Sequence, residues 1–438
     1  RPDERTPGFD KKKRNNGLEI IPPKQVNRIS DTGYTLLEQF RNNGYHTSWF
    51  GKVHGTNTQG ANFDVGVRAT PFIEGKVDGK RVRSGYYALK DDKDGWKFMN
   101  RHLKDYAEPY SRQYIEEVLV PIANGNDPSV LIGQPKHMTD ALGDAAVDYI
   151  AERASAKKPF FLYFPFHAPH TPTVSRADLS AKYKKKQSVD TRHTDPEYAG
   201  MVELVDQNIR KVLNALEDPN GDGNISDSIV SNTLVIFTSD NGGTPSGRRQ
   251  SDAINAPLRG IKGSYFEGGV RVPYIARWPG VIQPGSISKE IIHCIDAYPT
   301  LAEIANIPLP RPQVHKLDGV SFAPILMGKA KELKRDSLYW HFPGYMDSRQ
   351  IPNSVHVTKL DGEVYKLYYY YEDKRYELFN LTDDISEQNN LLRTPELREA
   401  QVIAKNMNTR LLTWLKTLNA PTGTSVNNKR VVPYPPVD

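Results

Sequence analysis

Four short stretches of this 438-residue chain place acid–base or ligand groups beside glycine or proline, next to apolar runs. GYHTSWFGKVHG (44–55) sets Lys52 and His54 between glycines, and FFLYFPFHAPHTP (160–172) holds His167 and His170 among prolines. LVIFTSDNGG (234–243) puts Asp240 beside Asn241 and then removes every side chain beyond them. PLRGIKGSYFEGGVRVP (257–273) carries Arg259 and Lys262 through a glycine-rich approach to the next apolar run. Together they supply lysines, imidazoles and two adjacent oxygen ligands, a set suited to an oxyanion with a hard cation beside it. Lysine neutralises an anion as a point charge, and a histidine can protonate a leaving oxygen. Asp and Asn oxygens suit Ca2+ or Mg2+ better than zinc. Each stretch also has an ordinary reading: a solvated loop lysine, a structural histidine, a DNG turn. Two oxygens cannot hold a hard cation, so the remaining ligands must come from elsewhere.

The elements that would carry these groups follow from periodicity. Apolar spacing predicts helices over 139–154, with Thr139 as N-cap, over 198–217 and near 396–418. The 198–217 helix would bury Tyr198, Met201, Val202, Val205, Ile209, Val212, Leu213 and Leu216. Between the helices, 160–164, 233–238 and 273–278 are almost continuously apolar, as in strands covered on both faces. The fold class is therefore α/β: a large, mostly parallel central sheet sandwiched by helices, in which ligands collect at the carboxyl ends of strands. Beyond about residue 330 the pattern changes. VYKLYYYYED (364–373) and RYELFNL (375–381) read as antiparallel strands ahead of the last helix. This gives a main domain over 1–330 and a smaller α+β subdomain over 331–438, with a short antiparallel sheet plus the terminal helix. The stretches 65–135 and 336–360 read as long insertions.

The bulk numbers narrow the partners. A formal net charge of +6 favours anions. The basic clusters at 11–14, 182–186 and 247–249 are scattered, which argues against nucleic acid and for an acidic glycan or a sulfate or phosphate ester. No apolar run approaches the roughly 20 residues of a membrane span. The single cysteine, Cys294, excludes internal disulfides and reads as a small buried hydrophobe. DPNGDGNISDSI (218–229) has part of an EF-hand spacing but Ile229 in place of the final Glu. It reads better as a surface turn.

In order, the four stretches resemble signature blocks of the type I, formylglycine-dependent sulfatases, of the alkaline phosphatase superfamily fold. IDAYPTLAEIANIPLP (295–310), LDGVSFAPILMG (317–328) and YELFNLTDDISEQNNLL (376–392) look like that family's later blocks. The match runs from about residue 30 through nearly the whole chain. The resemblance implies a sulfuric ester hydrolase whose catalytic domain spans 1–330. Asp240 and Asn241 would be two ligands of one divalent cation, Ca2+ or alternatively Mg2+. Lys52 and Lys262 would bind the sulfate and the nucleophile, His54 would bond the formylglycine hydroxyl, and His170 would protonate the leaving alcohol. The family's C/S-x-P-S/A-R motif and the Asp-Asp strand end that completes its metal site do not occur in these residues. The expectation is therefore a nucleophile and a further strand upstream of residue 1, and a Cys or Ser there converted to formylglycine. A formylglycine-generating or anaerobic sulfatase-maturating enzyme would be the partner for that conversion, and the location would be secreted or periplasmic.

Basic charge, abundant aromatics and the insertions point to a sulfated polysaccharide or oligosaccharide as substrate, with algal galactans such as carrageenan ahead of glycosaminoglycans. His167, Arg259, Trp96, Trp340, His341, Arg248 and Arg311 are the candidates for substrate contact. Two alternatives stay open: a phosphodiesterase or phosphonate hydrolase of the same superfamily, and a non-catalytic glycan-binding relative. D-N-G in place of D-H-G argues against the first. Retention of Lys52, His54, His170 and Lys262 argues against the second.

Overall fold

A computed structural model describes residues 19–23, 34–52, 64–68, 74–77, 80–83, 101–186, 194–244, 252–346, 349–394 and 397–436. His54, Trp96 and Arg248 lie outside them. In chain order the main elements begin β1 (Ile20–Ile21), α1 (Leu36–Asn42), β2 (His46–Gly51), β3 (Val65–Arg68), β4 (Glu74–Val77) and β5 (Lys80–Arg83). Then come α2 (Arg112–Tyr114), α3 (Met138–Ala156), β6 (Phe160–Tyr163), α4 (Ala177–Lys185), α5 (Pro196–Glu217), β7 (Val235–Thr238), α6 (Glu267–Val270) and β8 (Tyr274–Arg277). The chain finishes with α7 (Ala297–Ile304), α8 (Ala323–Leu326), β9 (Ser337–Phe342), β10 (Asn353–Leu360), β11 (Glu363–Tyr370), β12 (Tyr376–Asn380), α9 (Arg398–Thr417) and β13 (Thr424–Ser425). The architecture is α/β with a parallel sheet, flanking helices, and a C-terminal antiparallel sheet followed by a terminal helix.

The chain divides into two compact units. An amino-terminal unit comprises Asn27–Val235 and Ala276–Glu332; a carboxy-terminal unit comprises Arg1–Val26, Ile236–Ile275 and Leu333–Asp438.

In the amino-terminal unit β2 pairs in parallel with both β3 and β6. Its core joins Phe50 to the small face of α3 (Ala141, Leu142, Ala145, Ala146, Tyr149) and to Met201 of α5. The predicted helices are present, with two corrections. Helix α3 starts at Met138 and is capped by His137, not Thr139: His137 Nδ1 accepts the Thr139 N–H at 3.1 Å while Nε2 lies 3.0 Å from the Val174 carbonyl. Helix α5 buries Glu203, Gln207, Asn208 and Lys211 along with Met201 and Leu204, whereas Val202 is exposed. The reason is a buried ionic cluster. Asp140 of α3, fully buried, meets Arg176 at 3.1 Å, Lys211 at 3.4 Å and the Asn208 amide at 2.9 Å. Burial alone would raise the Asp140 pKa, but the two cations hold it far below the usual carboxylate range. A buried charge persists only when paired in this way.

The expectation of strands covered on both faces is only partly met. Tyr163 at the end of β6 and Ile275 of β8 are 46% and 61% exposed. Among the described residues β6 is an edge strand and β7 pairs only with β8. Cys294 is exposed at the start of a short 3-10 turn, against the expectation of burial.

The carboxy-terminal unit is organised by a four-stranded antiparallel sheet in the order β12–β11–β10–β9. The stretch read as an insertion over 336–360 supplies β9 and β10 of this sheet. Helix α9 packs Ala400, Ala404 and Met407 against Leu367 and Leu378. His356, in the middle of β10 and fully buried, is held by the Met407 carbonyl at 2.9 Å and Ser337 Oγ at 3.1 Å.

Candidate functional site

The candidate residues fall into two loop clusters, one in each unit. In the amino-terminal unit the cluster is built where β2 and β6 end. Parallel pairing carries Trp49 opposite Tyr163, and the ladder then continues one step past the strands: the Lys52 N–H donates to the Pro165 carbonyl at 2.8 Å. Gly51 makes that step feasible. Its φ is +113°, and a Cβ there would lie 2.1 Å from the Pro165 oxygen. Lys52 is thereby joined by backbone to the loop that carries His167 and His170. The Trp49 indole donates to the Lys52 carbonyl at 3.0 Å.

Within this loop the His170 N–H donates to the His167 carbonyl at 2.8 Å. His167 is buried and His170 half-buried. His170 Nδ1 lies 2.7 Å from the Thr171 carbonyl. A carbonyl can only accept, so Nδ1 carries the hydrogen, and Nε2 is the nitrogen that gains or loses a proton. This fixed tautomer is what a general acid acting through Nε2 requires.

In the carboxy-terminal unit β7 ends at Thr238 and the chain turns through Ser239–Gly243. Asp240 is exposed and Asn241 half-buried. Ser239 Oγ donates to the Asn241 carbonyl at 2.9 Å, and the Asn241 amide donates to the Gly242 carbonyl at 2.9 Å. Gly242 passes so near α6 that a Cβ would sit 1.7 Å from the Gly268 oxygen, and its N–H donates to the Gly269 carbonyl at 3.0 Å. Asn255 clamps the other end: its Oδ1 accepts from the Gly243 N–H at 2.8 Å, and its Nδ2 donates to the Gly243 and Gly260 carbonyls at 3.0 and 3.1 Å. The Lys262 N–H donates to the Gly243 carbonyl at 3.1 Å, and Arg349 donates to the Lys262 carbonyl at 3.2 Å. So Lys262 and the Asp240–Asn241 turn form one hydrogen-bonded assembly.

Asp240 and Asn241 present adjacent oxygens of the kind hard cations take, but a Ca2+ ion takes six to eight. Among the described residues no group of three or more His, Cys, Asp or Glu could hold a metal ion. The pair therefore fits as part of a ligand set.

The remaining candidates are more dispersed. Arg259 stacks on Phe266 at 3.8 Å and lies 3.6 Å from Glu377. Trp340 of β9 is half-buried with its ring 6.2 Å from that of Tyr265. His341 uses both ring nitrogens internally, on Ser354 Oγ at 2.8 Å and the Pro421 carbonyl at 2.9 Å, and burial lowers its pKa. Arg311 is exposed in a loop after α7. In the 218–229 loop, Asp218 oxygens accept from the Gly221 and Gly223 amides at 2.9 and 2.8 Å, and Asn220 and Asp222 cap Asp222 and Asn224. Its oxygens serve its own turns. The sequence reading missed Asn255, which sits two residues ahead of the 257–273 stretch, and Arg349, which lies 87 residues from its partner Lys262 and carries no such signal.

Comparison with known proteins defines the class. The profile described as Sulfatase matches residues 10–307, and that described as N-sulphoglucosamine sulphohydrolase, C-terminal, matches 262–416. A Sulfatase of Formosa agariphila is 47% identical over 96% of this chain and 76% of its own length. An uncharacterized sulfatase, YdeN of Escherichia coli, is 26% identical over 84% of this chain and 65% of its own. Among solved structures, Ps i-CgsB in complex with k-i-k-neocarrahexaose superposes with a TM-score of 0.60 at 23% identity, covering 91% of this chain and 77% of that one. The chain belongs to the sulfatase family, a family of sulfuric ester hydrolases. No helix among the described residues is long and apolar enough to cross a membrane.

Proposed function

We propose that this protein hydrolyses sulfate monoesters on a sulfated polysaccharide or its oligosaccharides, an algal galactan of the carrageenan type first among them. The observation that carries the reading is that the two lysines are placed alike, each within its own unit. Each has its backbone N–H bonded to the strand-exit loop that bears the other candidate groups: Lys52 to Pro165, ahead of His167 and His170, and Lys262 to Gly243, behind Asp240 and Asn241. The bound neocarrahexaose of Ps i-CgsB supports the choice of substrate class.

In this reading Lys52 and Lys262 bind the sulfate oxygens and offset the charge that gathers on them in the transition state. His170 gives its Nε2 proton to the departing alcohol, its ring held by the Thr171 carbonyl. His54 bonds the nucleophile's hydroxyl. Asp240 and Asn241 would hold part of the shell of a Ca2+ or Mg2+ ion, which supplies Lewis-acid polarisation of the sulfate. A formylglycine, made by a formylglycine-generating or maturating enzyme, would be the sulfuryl acceptor. The protein acts in a secreted or periplasmic location, where such polymers are met.

The test is release of free sulfate by the full-length protein from a panel of carrageenans and glycosaminoglycans. His170→Ala should lower turnover by about 10²–10⁴-fold with thermal stability unchanged. Undiminished turnover in that variant removes His170 from the acid role, and no sulfate released from any member of the panel defeats the substrate reading.

A further inference from the structure

Lys262 and the Asp240–Asn241 turn owe their places to a buried polar cluster outside the chemistry proposed above. Lys366, on β11 and 1% exposed, donates to Glu267 Oε1 at 2.6 Å and lies 3.2 Å from Glu387 Oε1. The Glu267 N–H donates to Glu387 Oε2 at 2.7 Å, so the Glu387 carboxyl caps the start of α6. Tyr368 Oη is 2.5 Å from Glu387 Oε1 and 2.9 Å from the Tyr265 carbonyl. The Glu387 backbone carbonyl accepts from Arg259 at 3.3 Å, and the Arg259 carbonyl accepts from the Gly268 N–H at 2.7 Å. Four of these bonds, Lys366 to Glu267, Glu267 to Glu387, Tyr368 to Tyr265 and Arg259 to Glu387, grip the 259–269 segment from outside it. That segment in turn holds Gly242 through Gly269 and contains Lys262.

The protons in the cluster can be counted. Tyr368 has one hydrogen and faces two oxygens, and the Tyr265 carbonyl can only accept. Both contacts are satisfied if the Tyr368 hydroxyl donates to Tyr265 and accepts from a protonated Glu387 Oε1. Lys366 faces two buried carboxylates, and Glu267 is also paired with Arg271 at 2.9 Å, so Glu267 is the better placed of the two to carry a charge. Burial would raise both pKa values; Lys366 and Arg271 together outweigh it at Glu267, whose pKa is lowered, whereas at Glu387 burial prevails and the pKa is raised.

We propose that Glu387, as a neutral carboxylic acid, is a positioning residue: with Lys366 and Tyr368 it fixes the 259–269 segment and thereby Lys262 and the Asp240–Asn241 turn. What the positioned groups then do rests on the sulfatase reading. The experiment compares Glu387→Ala and Glu387→Gln in the full-length protein, at a temperature where circular dichroism shows both folded. Glutamine keeps a donor toward Tyr368 and an acceptor for the Glu267 N–H; alanine keeps neither. Amide exchange over 240–243 and 259–269 should accelerate at least tenfold in Glu387→Ala, leave α9 unchanged, and stay near wild type in Glu387→Gln. kcat/KM for sulfate release should fall about 10–100-fold in Glu387→Ala, the scale of an ångström-sized misplacement, and recover to within about threefold in Glu387→Gln. Unaltered exchange in Glu387→Ala overturns the positioning role, and a glutamine variant as damaged as alanine overturns the protonated form. If the wild-type protein releases no sulfate, the functional reading fails, and exchange alone decides the anchor.

Discussion

The two loop clusters present similar groups and are held by opposite means. Lys52 is placed by repetition: a parallel pair of strands runs on one residue beyond its end, backed by the aromatic and alanine core around Phe50 and Tyr149. Lys262 is placed by exception: an irregular segment is fastened by the side chains of Asn255, Arg349, Glu387 and Tyr368, each making contacts specific to it. A backbone ladder depends little on which side chains it carries. An irregular loop depends on each fastener, because its own backbone groups have no partner otherwise. The first design should therefore show its damage as lost stability, and the second as lost geometry.

The two crowded glycines give the largest separation. Gly51→Ala strains a left-handed residue and drives a Cβ toward the Pro165 oxygen, so denaturant unfolding should show a loss of about 3 kcal/mol. Gly242→Ala meets the Gly268 oxygen at still closer range, but the loop can shift. It should unfold within about 1–2 kcal/mol of wild type while turnover falls about 10²-fold. The reverse pattern breaks the comparison.

A smaller contrast comes from single supports. Asn255→Ala removes three hydrogen bonds and should cost about 2 kcal/mol. Trp49→Phe removes the indole bond to Lys52 and should cost about 1 kcal/mol. Equal effects on turnover would show that the ladder needs its side chain as much as the loop does.

The smallest effect treats the units alike. His137 in one and His356 in the other have pKa values lowered to about 4, chiefly by burial. Both stay neutral when folded but take up a proton near pH 6.5 when unfolded. Their contribution is full above that pH and is lost as pH falls from about 6.5 toward 4. By pH 5.5 each should have given up about 1 kcal/mol, read as the difference between wild type and the corresponding His→Gln variant in pH-resolved unfolding. A flat difference would mean the ring takes up its proton in the fold as readily as in the unfolded chain.

The same contrast explains what the sequence disclosed. Helices α3, α5 and α9 and strands β6, β7 and β8 were legible because period and apolar runs mark them. The four site stretches were legible because glycine and proline crowd around titratable groups. What escaped was polar. His137 as a cap, and Glu203, Gln207 and Lys211 as buried residues, defeat an apolar stripe because each finds partners on α3, α4 or a neighbouring loop. β9 and β10 were hidden because SLYWHF and NSVHVTKL break the apolar pattern with Ser337, His341, Ser354, His356 and Thr358, whose side chains are hydrogen-bonded within the unit. Glu387 lies within the 376–392 block, but nothing there marks it as an anchor, since its partner Glu267 lies 120 residues away.

The carboxy-terminal unit is assembled from three separate lengths of chain, and that sets a timetable. A ribosome adding about 5–20 residues per second makes Glu267 well before Lys366 and Glu387, whose bonds to it span 99 and 120 residues. For that interval of several seconds or more the Lys262 segment emerges without its anchors. Its anchored shape is a late event of synthesis, set only once Lys366 and Glu387 have been made.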